Sequence, residues 1–259
     1  MKIGICCGPD KAAAAAKAGF EYIESSVGGL LKPLADRAAF EEALRQVKAC
    51  PLPCPAVNCF VPGELKITGP AADLAALERY VTVAFERAEQ AGVQTIVFGS
   101  GGARQVPDGF PATRATDQIA DFCRMFAPIA QRHGVTVVVE PLNRSECNIL
   151  TTVGESAALV RRVNHPALRL LVDAYHFAKD SDSFGDLAAH ANLLAHVHLA
   201  TIPNRLAPRV EPCDFARFFK TLRKGGYTGR VSFEGKMPDS DAELAKAAAL
   251  MRSLADGAT

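Results

Sequence analysis

The chain has 259 residues, 49% of them hydrophobic and 22% charged, with a formal net charge of +1. That is enough apolar material for a large core, and one α/β barrel domain over residues 1–259 is of ordinary size. The near-zero charge excludes a global pull on nucleic acid, no stretch of about 20 apolar residues is present to span a membrane, and Met1-Lys-Ile-Gly-Ile-Cys-Cys7 is too short an apolar run for a signal peptide.

Lys2–Cys6 predicts a first strand. Lys11–Gly19, with five consecutive alanines, predicts a helix ended by glycine. A strand at Tyr22–Val27 carries Glu24 near its end, where a helix cap and a substrate contact are both open. Arg37–Ala49 reads as helical, with Phe40, Leu44 and Val47 on one face. A strand at Ala56–Phe60 leads through the turn signals Pro62-Gly63 and Gly69-Pro70 to a long helix, Ala71–Ala91. Gln94–Phe98 is a fourth strand. The Gly99-Ser-Gly-Gly102 loop after it reads as a tight turn, with a phosphate cradle of backbone amides as the weaker alternative.

Ala115–His133 is the next helix. It leads to Val135-Thr-Val-Val-Val-Glu140, a β-branched run that suits a strand buried on both faces. Thr136, Val138 and Glu140 share one face of it, and Pro141 ends the ladder. Helices are predicted at Val153–Val163, Ser183–Ala191 and Cys213–Lys224, and strands at Arg169–Asp173, Ala195–Leu199 and Arg230–Glu234. Asp239 or Ser240 caps a last helix running to about Ala255. Eight strands alternating with eight helices argue for a parallel sheet closed as a (β/α)8 TIM barrel.

In such a barrel the functional groups come from the C-terminal ends of the strands. The last four strands end in Glu140, Asp173, His198 and Glu234. A strand-end Asp taken alone is often only a helix cap. Four chemistry-bearing ends in succession point instead to a shared ion, because three crowded carboxylates repel one another. Three oxygen donors with one imidazole suit manganese, magnesium or cobalt better than thiol-bound zinc. His196 lies two residues deeper on the same face as His198 and reads as a supporting or core histidine. Glu146, His176 and Arg205 follow ligand strands on the mouth side and could hold a substrate; each alone reads equally well as a loop charge. Lys236 reads as a surface lysine. The eight cysteines include no C-x-x-C pair and read as reduced thiols of a cytoplasmic protein.

Glu140-Pro-Leu-Asn-Arg-Ser-Glu146, Asp173-Ala-Tyr-His176, His196-Val-His198 with Asn204-Arg205, and Phe233-Glu234 resemble the xylose-isomerase-like sugar isomerases and epimerases. The nearest subgroup is the tagatose 3-epimerase and hydroxypyruvate isomerase type. Phe98-Gly-Ser-Gly-Gly-Ala-Arg104 and Leu65-Lys-Ile-Thr-Gly69 extend the likeness. The resemblance implies a divalent cofactor, Mn2+ first, with Mg2+, Co2+ and Zn2+ as alternatives. Its ligands would be Glu140, Asp173, His198 and Glu234. It makes Glu140 and Glu234 the two acid/base carboxylates, and Glu146, His176 and Arg205 the groups on sugar hydroxyls. The implied reaction is proton transfer beside the carbonyl of a ketose or small hydroxy-carbonyl compound through an enediolate. A small-molecule sugar is thus the expected partner, with no nucleic acid and no membrane; family members are often homo-oligomers. Six residues separate His198 from Arg205 here, one more than in the epimerases, and Ile202-Pro203 replaces a more polar stretch. A metal-dependent dehydratase of a polyol or keto-acid on the same barrel is the alternative reading. An abasic-site nuclease would need histidines at the ends of strands three and four, where Asn58-Cys-Phe60 and Gly99-Ser100 stand. An intact ligand set speaks against a barrel that only binds.

Overall fold

A computed structural model describes residues 1–257. Eight parallel strands close into a barrel in sequence order: β1 (Lys2–Cys6), β2 (Tyr22–Ser26), β3 (Ala56–Asn58), β4 (Thr95–Phe98), β5 (Thr136–Val139), β6 (Leu168–Asp173), β7 (Leu194–Leu199) and β8 (Arg230–Phe233). The outer helices are α1 (Ala12–Ala18), α2 (Arg37–Lys48), α3 (Leu74–Ala91), α5 (Ala112–Arg132), α6 (Val153–Val163), α8 (Phe184–His190), α9 (Ala216–Lys224) and α10 (Asp241–Asp256). Two short helices, α4 (Gly101–Arg104) and α7 (Ala174–Lys179), lie in the loops after β4 and β6.

Alternation along the strands divides the core in two. Ile96, Phe98, Val137, Val139, Leu170 and Val172 face outward into the main hydrophobic core under the helices. Val97, Val138 and Leu171 point the other way and form a small cluster of their own. Two residues beyond Val138 of β5 and Leu171 of β6, the same inward face carries Glu140 and Asp173. The hydrophobic pattern that fixes the strands therefore also aims the acids inward.

The strands stop where their chemistry begins. β3 ends at Asn58 rather than Phe60 because Cys59 takes a left-handed backbone, φ 55°. α3 begins at Leu74, three residues after the expected start, because Asp73 caps it by accepting from Ala76 N at 3.0 Å. Ser240, one of two expected caps, accepts from Glu243 N at the start of α10.

Two buried arginines tie loops to the barrel. Arg104 donates to the carbonyls of Phe98 (3.2 Å), Glu140 (2.7 Å) and Leu150 (3.5 Å), which binds the tips of β4 and β5 together. Each hydrogen bond from a charged donor is worth about 1.5–3 kcal/mol. Arg87 donates to the carbonyls of Leu31 and Ala35 and lies over the Phe40 ring at 5.0 Å. It latches the loop that carries Lys32 to Ala35 over the barrel mouth.

Candidate metal and substrate site

The C-terminal tips of β5 to β8 bring Glu140, Asp173, His198 and Glu234 together. One ligand atom from each lies within 4.8 Å of the others. His198 Nδ1 stands 3.3 Å from Glu140 Oε1 and 3.3 Å from Glu234 Oε2. Register explains the convergence: Asp173 pairs with His198, and His198 with Ser232, two residues before Glu234.

Asp173 serves two ends. Its Oδ1 caps α7 by accepting from Tyr175 N at 2.9 Å. Its Oδ2 faces the site, 3.4 Å from Arg205 Nη2 and 3.5 Å from His176 Nε2. The side chain that caps α7 with one oxygen thus turns the other toward the site.

His198 is aimed from behind. Its Nε2 lies 2.9 Å from Glu24 Oε1, while Glu24 Oε2 takes His196 Nε2 at 2.8 Å and the Ser232 hydroxyl at 2.6 Å. All four side chains are buried. Glu24 caps no helix and does not line the main cavity; it holds an imidazole by one nitrogen so that the other faces the acids. Two histidines on one buried face of β7 needed an acceptor, and that was the available signal for it. His196 takes the supporting place expected of it.

The electrostatics are crowded. Burial, then the charges of Glu234 and Glu140, push the Asp173 carboxyl up to about 7. Burial likewise raises Glu140. Burial opposes ionisation of Glu234 too, yet His198 and Arg205 hold it down at about 2. For His198 burial favours the neutral ring, but Glu24 and Glu234 raise its pKa. Burial and then Arg205 press His176 down to about 3, so its ring stays neutral.

Two buried polar atoms at the centre, Glu140 Oε1 and His198 Nδ1, have no hydrogen-bond partner among the described residues. Orphaned atoms of opposite preference, three carboxylates and one imidazole fit a divalent cation with oxygen and nitrogen ligands. No histidine stands at the tips of β3 and β4, where Asn58 and Gly99 lie.

Above this floor opens a cavity of about 690 Å³ lined by Glu140, Glu234, Glu146, His176 and Arg205 among others, with Lys32 and Leu34 at its rim. That is ample for a small ligand. The three sequence-predicted substrate groups form one chain. Asn143 Nδ2 bonds Glu146 Oε1 at 2.8 Å and lies 2.7 Å from His176 Nδ1. Arg205 Nη1 is 3.7 Å from Glu146, and its Nη2 is 2.5 Å from Glu234 Oε2. The extra residue before Arg205 is absorbed in a turn: Arg205 takes φ 54° and its N–H bonds Thr201 O at 3.1 Å. Lys236 is exposed and does not line the cavity. Sequence reasoning missed Asn58, whose Nδ2 donates to Glu234 Oε1 at 2.9 Å, and Asn143.

The glycine loop is explained by packing. A Cβ on Gly99 would fall 2.4 Å from Glu140 Oε2, and one on Gly101 would fall 2.9 Å from Glu146 O. The glycines let the acid-bearing loop approach. The chain turns at Ser100 into α4, as a tight turn after β4 requires.

Comparison with known proteins agrees with this architecture. The chain is 30% identical over 125 residues to the 3-dehydro-D-guloside 4-epimerase of Escherichia coli (strain K12), covering 48% of this chain and 47% of that one. It is 35% identical over 102 residues to the ketose 3-epimerase of Arthrobacter globiformis, covering 39% and 35%. The matched segments thus span half or less of those relatives' length. A crystal structure of a D-psicose 3-epimerase in the presence of D-fructose superposes with TM-score 0.82 over 98% of this chain and 99% of that one, at 20% identity. The xylose isomerase-like TIM barrel description matches residues 12–254, and the chain belongs to that family.

Proposed function

We propose that the protein is a divalent-metal-dependent sugar epimerase or isomerase acting beside the carbonyl of a ketose. The observation that carries the reading is the pair Glu140 and Glu234, whose carboxylates flank His198 Nδ1 at 3.3 Å each and line one cavity. The named relatives act on ketoses and keto-glycosides, which supports the substrate class.

Glu140, Asp173, His198 and Glu234 would hold the ion, manganese by the hardness of the set. When bound, the ion supplies Lewis-acid polarisation of a carbonyl and its neighbouring hydroxyl. One of the two glutamates takes the proton from the hydroxyl-bearing carbon, and the electron pair moves onto the carbonyl oxygen as an enediolate. The other glutamate, as the carboxylic acid, returns a proton to the opposite face of that carbon, which inverts it. Where the proton leaves the terminal hydroxyl-bearing carbon instead, its delivery to the neighbouring carbonyl carbon interconverts ketose and aldose. Arg205 and the neutral His176 donate to substrate oxygens, and Glu146 accepts from a hydroxyl. Eight unpaired cysteines support a reducing, cytoplasmic setting.

The test is a panel of ketoses incubated with manganese in deuterated water and followed by NMR. Deuterium enters at one carbon and the epimer appears. Glu140→Gln and Glu234→Gln each lose turnover. Full exchange retained in both variants refutes the two-carboxylate scheme, and an unsaturated ketone as product replaces it with a dehydratase.

A further inference from the structure

The barrel floor carries a sulfur beside its oxygens. Cys6 ends β1 and pairs in register with Glu24. It shares the inward face with Gly4, where a Cβ would strike the Tyr22 ring at 2.2 Å. The Cys6 thiol, a nitrogen of His198 and a carboxylate oxygen of Glu234 lie within 4.8 Å of one another. A second observation points to a ligand at the same place. His198 Nε2 is engaged by Glu24, and Nδ1, fully buried, has no hydrogen-bond partner among the described residues. Cys6 is also within reach from outside. It lines a cavity of about 340 Å³ together with Ser26 and Asn58, and those two residues also line the main cavity.

We infer that the floor offers two overlapping sets of metal donors, and that soft divalent cations such as cadmium or zinc are captured by Cys6, His198 and Glu234. The inference rests on the metal reading proposed above. Hard cations take the oxygen-rich set of Glu140, Asp173, His198 and Glu234, because carboxylates suit them and a thiolate does not. Binding of a soft ion transfers the thiol proton to solvent and makes a sulfur–metal bond. Since His198 and Glu234 belong to both sets, the two occupancies exclude each other. A soft ion drawn toward Cys6 is drawn away from Glu140 and Asp173 and inhibits the reaction.

The experiment titrates metal-free protein with cadmium and, separately, with manganese. Calorimetry reads affinity, and the ultraviolet difference spectrum reads sulfur-to-cadmium charge transfer. Wild type binds cadmium with the charge-transfer band, and saturating manganese suppresses that band. Cys6→Ser abolishes the band and weakens cadmium by at least about 10–100-fold, the cost of losing even an outer partner of a metal site. Its manganese affinity stays as in wild type. Cys59→Ser, a cavity-lining thiol outside the cluster, keeps the band. A wild type without the band, a band that survives Cys6→Ser, or simultaneous occupancy by both ions overturns the inference while manganese binding still stands. Loss of manganese affinity in folded Cys6→Ser overturns the separation of the two sets. Failure of both metals to bind wild type overturns the metal reading and this inference with it. Alkylation of wild type followed by peptide mass mapping needs no variant: cadmium protects Cys6 and manganese does not, and equal protection by both refutes the inference.

Discussion

Replacing Glu24 by glutamine changes no residue lining the main cavity and none of the four proposed ligands, yet it acts on His198. The carboxylate accepts from His196, His198 and Ser232 at 2.8, 2.9 and 2.6 Å. A glutamine offers one accepting oxygen and one donating amide. If the amide faces His198, two donors meet, and the imidazole must carry its proton on Nδ1. That is the atom facing Glu140 and Glu234, and a protonated nitrogen cannot ligate a metal. If the amide faces the other way, it meets His196 and Ser232 instead, and His198 is left with a neutral acceptor. Either way one charge-assisted hydrogen bond is lost, about 2 kcal/mol. For a chain of this size that lowers the melting temperature by roughly 4–8 °C. Manganese affinity falls about 10–100-fold, as for other outer partners of ligating histidines, or about 1.4–2.7 kcal/mol. Calorimetric titration of metal-free wild type and Glu24→Gln measures it, with circular dichroism to verify the fold. A folded variant with wild-type manganese affinity refutes the claim that Glu24 sets the orientation and tautomer of His198.

Gly99→Ala drives a methyl to within 2.4 Å of Glu140 Oε2, and the flexible carboxylate swings away to accommodate it. Manganese affinity drops about tenfold, or 1.4 kcal/mol, while thermal stability without metal changes little; unchanged affinity would show that Glu140 need not sit where the glycine lets it. The second expectation concerns pH. Asp173 is raised from 3.8 to about 7, so the folded metal-free chain keeps a proton that the unfolded chain releases above about pH 4. Its contribution to stability is complete below that pH and is lost as pH rises through about 7. An incoming cation must displace that proton and also the one on His198, whose pKa is raised. Manganese therefore raises the melting temperature more at about pH 8 than at about pH 6; an equal increment at both sends the protons elsewhere.

The strands were legible because their signal is local: β-branched runs closed by turn residues, each inward position two residues from the next. β5 is the clearest case, since Val138 marks the inward face and Glu140 continues it. The four converging ends could be read from the same rule without any knowledge of distances. The rest depended on contacts far apart in sequence. Glu24 on β2 meets His196 and His198 on β7 only because the barrel closes. Asn58 reaches Glu234 across 176 positions. α4 and α7 are too short for a hydrophobic period, so composition carried no trace of them. β3 was overestimated because Cys59 and Phe60 have strand-like neighbours but a left-handed backbone at Cys59.

What remains is why four carboxylates, three of them buried and Glu234 half-buried, are tolerated at one end of a barrel. Among the described residues, Arg205 is the one arginine or lysine that pairs with Glu24, Glu140, Asp173 and Glu234; the imidazoles of His176, His196 and His198 and the neutral donors Asn58, Ser232 and Tyr175 N–H supply the rest. Proton retention by Asp173 is one relief of that excess, and it is a relief a cation can replace. The scaffold withholds a third, outward collapse of the acids. Arg104 pins the Glu140 carbonyl, Tyr175 N–H fixes Asp173 through its cap, and Asn58 holds Glu234. Because the backbone is tied while the charges are not balanced, the free energy of the mismatch is available to binding. A cation at 100 times its Kd adds about 2.7 kcal/mol to stability. The same restraint keeps Glu140 and Glu234 facing one cavity, so the arrangement that makes the floor costly without an ion also presents the two proposed proton carriers to the same space.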